Sequence, residues 1–245
     1  MFNLPAGSVT KKSPYRQKGK ISELALGYQG GAGALKTMGA LEMGLTEDEL
    51  EPIKDAWRGA NPEIVQFWYA CERSAKEAVL GKKGVNLRIA GKKAVLRFAY
   101  ESGFLTITLP SGRKLFYVKP RIEAEDLVRT NTAGVKYVAA RAGTITYEGQ
   151  DQKTKQWSRL TTYGGKLVEN ITQAVARDCL AESMLALDEA GYTQLATVHD
   201  EIIMEMPDRT LKGAEEIMGK AIAWAPGLPL RGDGFETKYY MKEID

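Results

Sequence analysis

Hydrophobic spacing changes period twice along the chain, and this restricts the fold more than any other feature. Up to about residue 84 apolar residues recur three and four apart, as on a helix face. From Val85 to about Trp157 they alternate, and from Lys166 the helical spacing returns. A chain that reads as helices, then hairpins, then helix, hairpin and helix is α+β.

Local signals set the expected boundaries. Ser13-Pro14 offers an N-cap followed by proline at the first helical position, and no breaker intervenes before Gly27. That predicts a helix of about four turns with a flexible glycine-rich exit, QGGAGA at 29–34. TEDE at 46–49 fits a capping box, with Leu50, Ile53 and Trp57 on one face. Asn61-Pro62 opens another helix, whose expected buried stripe is Ile64, Phe67, Trp68, Cys71 and Ala75. AVLRFAY, FLTITLPSGRKLFYV and GTITYE read as strands between glycine-containing turns, with the two GKK triplets at 81–83 and 91–93 as turn punctuation. A helix is expected over Lys166 to Ala190, a hairpin over 195–206 and a helix near 210–223.

Composition excludes several classes. At 245 residues with 44% hydrophobic content, the chain suits one large domain or two small ones with a substantial core. No run approaches the roughly 18 apolar residues of a membrane span, and the N-terminus lacks the apolar core of a secretory signal, so a cytoplasmic setting is expected. Cys71 and Cys179 lie far apart inside apolar helical patterns, which predicts reduced core thiols.

Two regions carry candidate chemistry. Arg16, Lys20, Leu24 and Tyr28 stand four apart along one stripe of the first helix. With Lys11, Lys12 and Lys18 they place five basic residues at a helix N-terminus, where cations oppose the macrodipole unless an anion binds. The order, cations then an apolar residue then a ring, suits a triphosphate with a base or sugar packed above it. It equally suits an ordinary amphipathic helix. A second window free of Asp and Glu holds Lys82, Lys83, Arg88, Lys92, Lys93 and Arg97, the footprint of polyanion binding or of a solvated face. The other region is ATVHDEIIMEMP, 196–207, in which His199, the only histidine, Asp200 and Glu201 interrupt an apolar hairpin. A tight turn there would hold Asp200 rigidly, as a Mg²⁺ carboxylate requires; an ordinary turn with a solvent-facing Glu is the alternative.

Taken together, Arg16-xxx-Lys20-(x)7-Tyr28 and the distant Val198-His199-Asp200-Glu201 resemble the family A, DNA polymerase I-like DNA polymerases, and within them the bacteriophage and prophage branch. RQKGKISELALGYQGG, SGRKLFYVKPRI, TYGGKLVENITQAVARD and ATVHDEIIMEMP carry the likeness in collinear order over nearly the whole chain. The resemblance implies that Arg16 and Lys20 bind the phosphates of an incoming dNTP, and that Leu24 and Tyr28 lie beside its sugar and the nascent base pair. It also implies that Gln173 and Asn170 touch primer-template DNA and that His199 lies near the primer terminus. Asp200 would hold one of two catalytic Mg²⁺ ions, with Glu201 as a supporting carboxylate.

Two positions depart from the family, and one of its motifs is absent. Leu24 stands where many members have an aromatic residue, and Asn170 is three rather than four residues before Gln173. The family's other metal motif, D-x-S-x-x-E, does not occur in the sequence. The expectation is therefore a C-terminal polymerase fragment: fingers-like residues 1–165 with a β-hairpin insertion over about 85–160, then a partial palm, 166–245, with an unpaired sheet edge. A split enzyme completed by an upstream polypeptide, a truncated remnant, and a metal site completed differently all fit that pattern. A non-catalytic nucleic-acid-binding module is the alternative function, and a metal-dependent phosphodiesterase a third.

Overall fold

The computed structural model describes residues 5, 8–10, 13–89, 94–130 and 136–241. Lys11, Lys12, Lys92, Lys93 and the second GKK triplet lie outside the described residues. The fold is α+β. By backbone contacts it divides into one unit of Met1–Leu87, Arg97–Ile107 and Phe116–Asn170 and another of Arg88–Leu96, Thr108–Leu115 and Ile171–Asp245.

Helix α1 (Pro14–Leu26) starts at Pro14 as expected, but the Ser13 side chain makes no cap; its carbonyl instead accepts from the Arg16 N–H at 3.0 Å. The glycine-rich exit is not a loop. Ala32–Thr37 form α2, anchored by fully buried Leu35. Gly30 serves close packing, since a Cβ there would lie 2.0 Å from the Ala25 carbonyl oxygen, whereas Gly31 and Gly33 have open space around theirs. Helix α3 (Glu47–Ala60) begins with the expected capping box, in which Glu49 Oε2 accepts from the Thr46 N–H at 2.8 Å and from its hydroxyl at 3.0 Å. Leu50, Ile53 and Trp57 are its buried face. Helix α4 (Pro62–Gly81) buries Trp68, Cys71, Ser74, Ala75, Ala78 and Val79, while Ile64 and Phe67 are only half-buried. The first GKK triplet ends this helix, with Lys82 left-handed at φ 46°, and is not a hairpin turn.

Strands β1 (Val85–Ile89), β2 (Ala94–Glu101), β3 (Phe104–Thr108), β4 (Lys114–Thr130), β5 (Lys136–Gln150) and β6 (Trp157–Thr162) form one sheet in sequence order. A meander follows from the sequence because short turns such as Ser102-Gly103, both at positive φ, join neighbouring strands directly. Helix α5 (Gly164–Glu189), β7 (Thr193–Val198), β8 (Glu201–Glu205) and α6 (Leu211–Met218) complete the chain. Helix α6 ends earlier than its apolar pattern suggests, at Gly219. Both cysteines are free and buried, as expected.

The start of α5 explains the paired glycines of YGGK. Gly164 N–H donates to Glu72 Oε2 at 3.2 Å and Gly165 N–H to Gln29 Oε1 at 2.7 Å, so two orphan donors of the helix end find side-chain acceptors. A Cβ on Gly165 would stand 2.1 Å from the Tyr28 carbonyl oxygen, and one on Gly164 2.2 Å from that of Trp68. Gly165→Ala is expected to cost about 1–3 kcal/mol through overpacking. A urea midpoint equal to that of the parent protein would contradict this close approach.

Candidate functional site

Helix α1 presents Arg16 and Lys20 on its exposed side, with Leu24 47% exposed one turn on. Neither cation forms an ion pair or hydrogen bond among the described residues, and the first turn holds no acid. The opposite side, Ser22, Ala25 and Leu26, is buried. Its C-terminal turn is clamped by two tryptophans. Trp57 Nε1 donates to Glu23 Oε2 at 2.8 Å, and Trp68 Nε1 to the Gly27 carbonyl at 2.9 Å. The two rings stack at 5.9 Å and 6°, Arg58 lies over Trp68 at 5.8 Å, and its Nη2 donates to the Gly30 carbonyl at 3.0 Å. These contacts fix which way the Arg16 and Lys20 stripe faces.

Tyr28 lies one residue past the Gly27 cap, in a turn and not on the helix itself. Half-burial, then the charges of Glu169 and Glu23, raise its phenol above the ordinary range, so the hydroxyl remains a donor at neutral pH. The Trp clamp was not legible in the sequence. Its partners lie 34 and 41 residues apart, and no local spacing signals them.

His199 and Asp200 form a two-residue turn closed by the Val198–Glu201 pair, with His199 left-handed at φ 54°. Primed hairpin turns need positive φ at their first position, and histidine is among the residues that tolerate it. His199, Asp200 and Glu201 are all exposed. Below the tip, Ile202 and Met204 pack on buried Leu187, Tyr192 and Ala214, and Gln194 Nε2 donates to the Met184 carbonyl at 2.7 Å. The hairpin is thus anchored at its base and free at its carboxylates.

Asp200 and Glu201 offer hard oxygen donors of the kind Mg²⁺ takes, one or two at a time beside phosphate and water. Among the described residues no group of three or more His, Cys, Asp or Glu converges to hold a metal. The donor type fits magnesium, but the donor number does not make a self-sufficient site. Among the described residues the sheet of β7 and β8 has two strands, so each keeps one backbone edge unpaired there. Beside it runs a groove of about 500 Å³ lined by Arg177, Ala181, Met184, Leu185, Asp188 and Gln194. Leu185 of this groove and Leu195 of β7 are well exposed, and Gln194 Oε1 is buried without a hydrogen-bond partner among the described residues.

On α5, Gln173 is exposed, with Arg177 exposed four residues on. That i, i+4 spacing within QAVAR is a signal by which Arg177 could have been included. Asn170 is not free: its Nδ2 donates to the Tyr117 hydroxyl at 2.9 Å. Asp178, buried, accepts from Ser111 Oγ and Arg113 Nε, and Arg113 Nη2 donates to the Ala174 carbonyl at 2.7 Å, pinning the SGR turn to the helix. Arg16, Lys20, Leu24, Tyr28 and Asn170 fall in the first unit, and Gln173, His199, Asp200 and Glu201 in the second.

Burial pushes the Tyr117 phenol up from 10.0 to about 12, partly offset by the Asn170 hydrogen bond, and the Cys71 thiol up from 9.0 to about 12. Both stay neutral in the fold after the unfolded chain has ionised, so the unfolded state binds fewer protons over that range. Stability is therefore expected to be unaffected by these groups below about pH 9 and to fall from there to about pH 12, by up to about 1.4 kcal/mol per pH unit for each group. Thermal melts should show this alkaline slope flattening in a Cys71→Ala, Tyr117→Phe double variant.

No protein-family model and no solved structure matches the chain. A DNA polymerase of Bacillus phage SP02 is 51% identical to it over 245 residues, 99% of this chain. The chain spans 35% of that relative's length, and over that third it is similar, almost from end to end, to part of a phage DNA polymerase.

Proposed function

We propose that the chain is part of a DNA-directed DNA polymerase of the family A, phage type. Residues 1–165 are its fingers-like region with a β-hairpin insertion, and 166–245 a partial palm bearing the metal-binding hairpin. The 51% identity to a phage DNA polymerase carries this reading. The exposed, unpaired Arg16 and Lys20 and the rigidly based Asp200 turn are the features it uses.

In this function the primer 3′-hydroxyl attacks the α-phosphorus of a template-paired dNTP, and pyrophosphate leaves. Arg16 and Lys20 hold the triphosphate and balance the charge that grows on the leaving group. Leu24 and Tyr28 border the sugar and base; Gln173, Arg177 and His199 contact primer-template DNA. Asn170 acts indirectly, by fixing α5 against Tyr117. Asp200, with Glu201 beside it, would hold Mg²⁺, which when bound withdraws charge from the phosphate oxygens and lowers the pKa of the attacking hydroxyl.

Two-ion chemistry needs a further bridging carboxylate. Polypeptide outside these 245 residues would supply it, and the open edge of the β7–β8 sheet is where its strand would add. The setting is the cytoplasm of a bacterial host, and no described helix is long and apolar enough to cross a membrane.

Primer extension tests the proposal. The chain alone should extend a labelled primer feebly or not at all. Adding a polypeptide that corresponds to the remaining roughly two thirds of the phage relative should restore synthesis. Robust extension by the chain alone would overturn the need for a partner. Salt-sensitive DNA binding with no synthesis under either condition would instead make it a non-catalytic nucleic-acid-binding module.

A further inference from the structure

Charge is divided unevenly between the meander and the rest of the chain. Residues 82–162 hold 16 Lys and Arg against 6 Asp and Glu, and the other residues hold 18 against 25. A chain of net charge +3 thus combines a sheet region of +10 with a remainder of −7. Neither α1 nor the β7–β8 hairpin contributes to that excess.

The same region exposes large aromatic rings. Phe116 is 60% and Trp157 64% exposed. The register pairs Val118 with Glu148, Glu148 with Arg159 and Gln150 with Trp157. Because side chains two apart share a face, Phe116, Val118, Glu148, Gln150, Trp157 and Arg159 all lie on one side of the sheet. Continued by two residues, that register sets Phe116 level with Gln150 and Trp157, its ring and the indole about 10 Å apart across two strand spacings. Phe104 meets Phe116 edge to face, with centroids 6.0 Å apart at 88°.

The carboxylate among these rings is already matched. Glu148 is bonded by Lys119 at 2.9 Å and by Arg159 at 3.3 Å, so it presents little free negative charge. Lys153 and Lys155 are exposed in the turn that leads into Trp157, and Gln150 Nε2 holds that turn by donating to the Lys155 carbonyl at 3.0 Å. Exposed rings flanked by exposed lysines, one of which shares its turn with Asp151, match the chemistry of unpaired bases on a phosphate backbone. Duplex DNA, with its bases stacked inside, cannot use such rings.

We propose that this outer sheet face, through Phe104, Phe116 and Trp157 with Lys153 and Lys155, is a binding surface for single-stranded nucleic acid. It goes beyond the polymerase assignment and does not depend on it. The bases stack on the rings, and the lysines neutralise phosphates.

Fluorescence anisotropy of labelled oligo(dT) with the intact chain tests this. Phe116→Ala and Trp157→Ala, both at exposed positions, should each weaken binding by about 5- to 20-fold while lowering the melting temperature by no more than a few degrees. A Lys153→Gln, Lys155→Gln double variant should lower the salt slope by about 1 to 2. Affinity for a duplex of equal length should change less than about twofold in the aromatic variants, since duplex binding is backbone-driven. Unchanged oligo(dT) affinity in both aromatic variants would overturn the proposal. Equal losses for duplex and single strand would overturn it too. Primer extension uses none of these residues, so the two proposals fail separately.

Discussion

If the proposed function holds, Asp200→Ala is expected to abolish DNA synthesis once the missing polypeptide is supplied, lowering the single-turnover rate at least about a thousandfold. The magnitude follows from the turn: Asp200 stands at the apex of an anchored hairpin, and among the described residues no group of three His, Cys, Asp or Glu converges to replace it. Glu201 is next in sequence but belongs to β8, paired with Val198. Its substitution by Gln should therefore cost less, about 10- to 100-fold, as a supporting carboxylate would. Primer-template affinity should change by less than about twofold in Asp200→Ala, because phosphate neutralisation by Lys and Arg sets that affinity. Synthesis that survives Asp200→Ala within tenfold would remove the hairpin from the chemistry altogether.

Trp68→Ala is expected to produce the largest loss of stability, about 3–5 kcal/mol in urea unfolding. Trp68 is fully buried, stacked on Trp57, overlaid by Arg58 and bonded to the Gly27 carbonyl. Alanine would leave a cavity and strip the end of α1 of its hydrogen-bond partner. Trp57→Phe is the informative companion. It keeps a stacked ring but removes the N–H that Glu23 accepts, and should cost about 1.5–3 kcal/mol, the range for a hydrogen bond to a charged group. If Trp68→Ala lost less than Trp57→Phe, the stacked pair would not be the anchor of α1.

Helix starts and strand alternation were legible because their causes are local. Thr46 and Glu49 are three residues apart, Pro14 and Pro62 mark first turns, and alternation over 94–108 reports a sheet with one buried face. Helix α2 was not legible, because its glycines signal a breaker while burial of Leu35 and close packing at Gly30 decide the outcome. In the candidate site, the exposure of Arg16, Lys20 and Asp200 followed from pattern. The engagement of Asn170 by Tyr117, 53 residues away, and of Asp178 by Ser111 and Arg113 could not, since each depends on which strand meets which helix.

The bond from Gly165 to Gln29 spans 136 residues, whereas each strand of the meander lies beside its own sequence neighbour. Closing a long loop costs more chain entropy than closing a short one, and contacts of high sequence separation are slow to form. The hairpins can therefore assemble while the ends of their unit are still apart. Seating Gly164 and Gly165 against Tyr28 and Trp68 is therefore expected late, which would make the start of α5 the latch of the folding reaction.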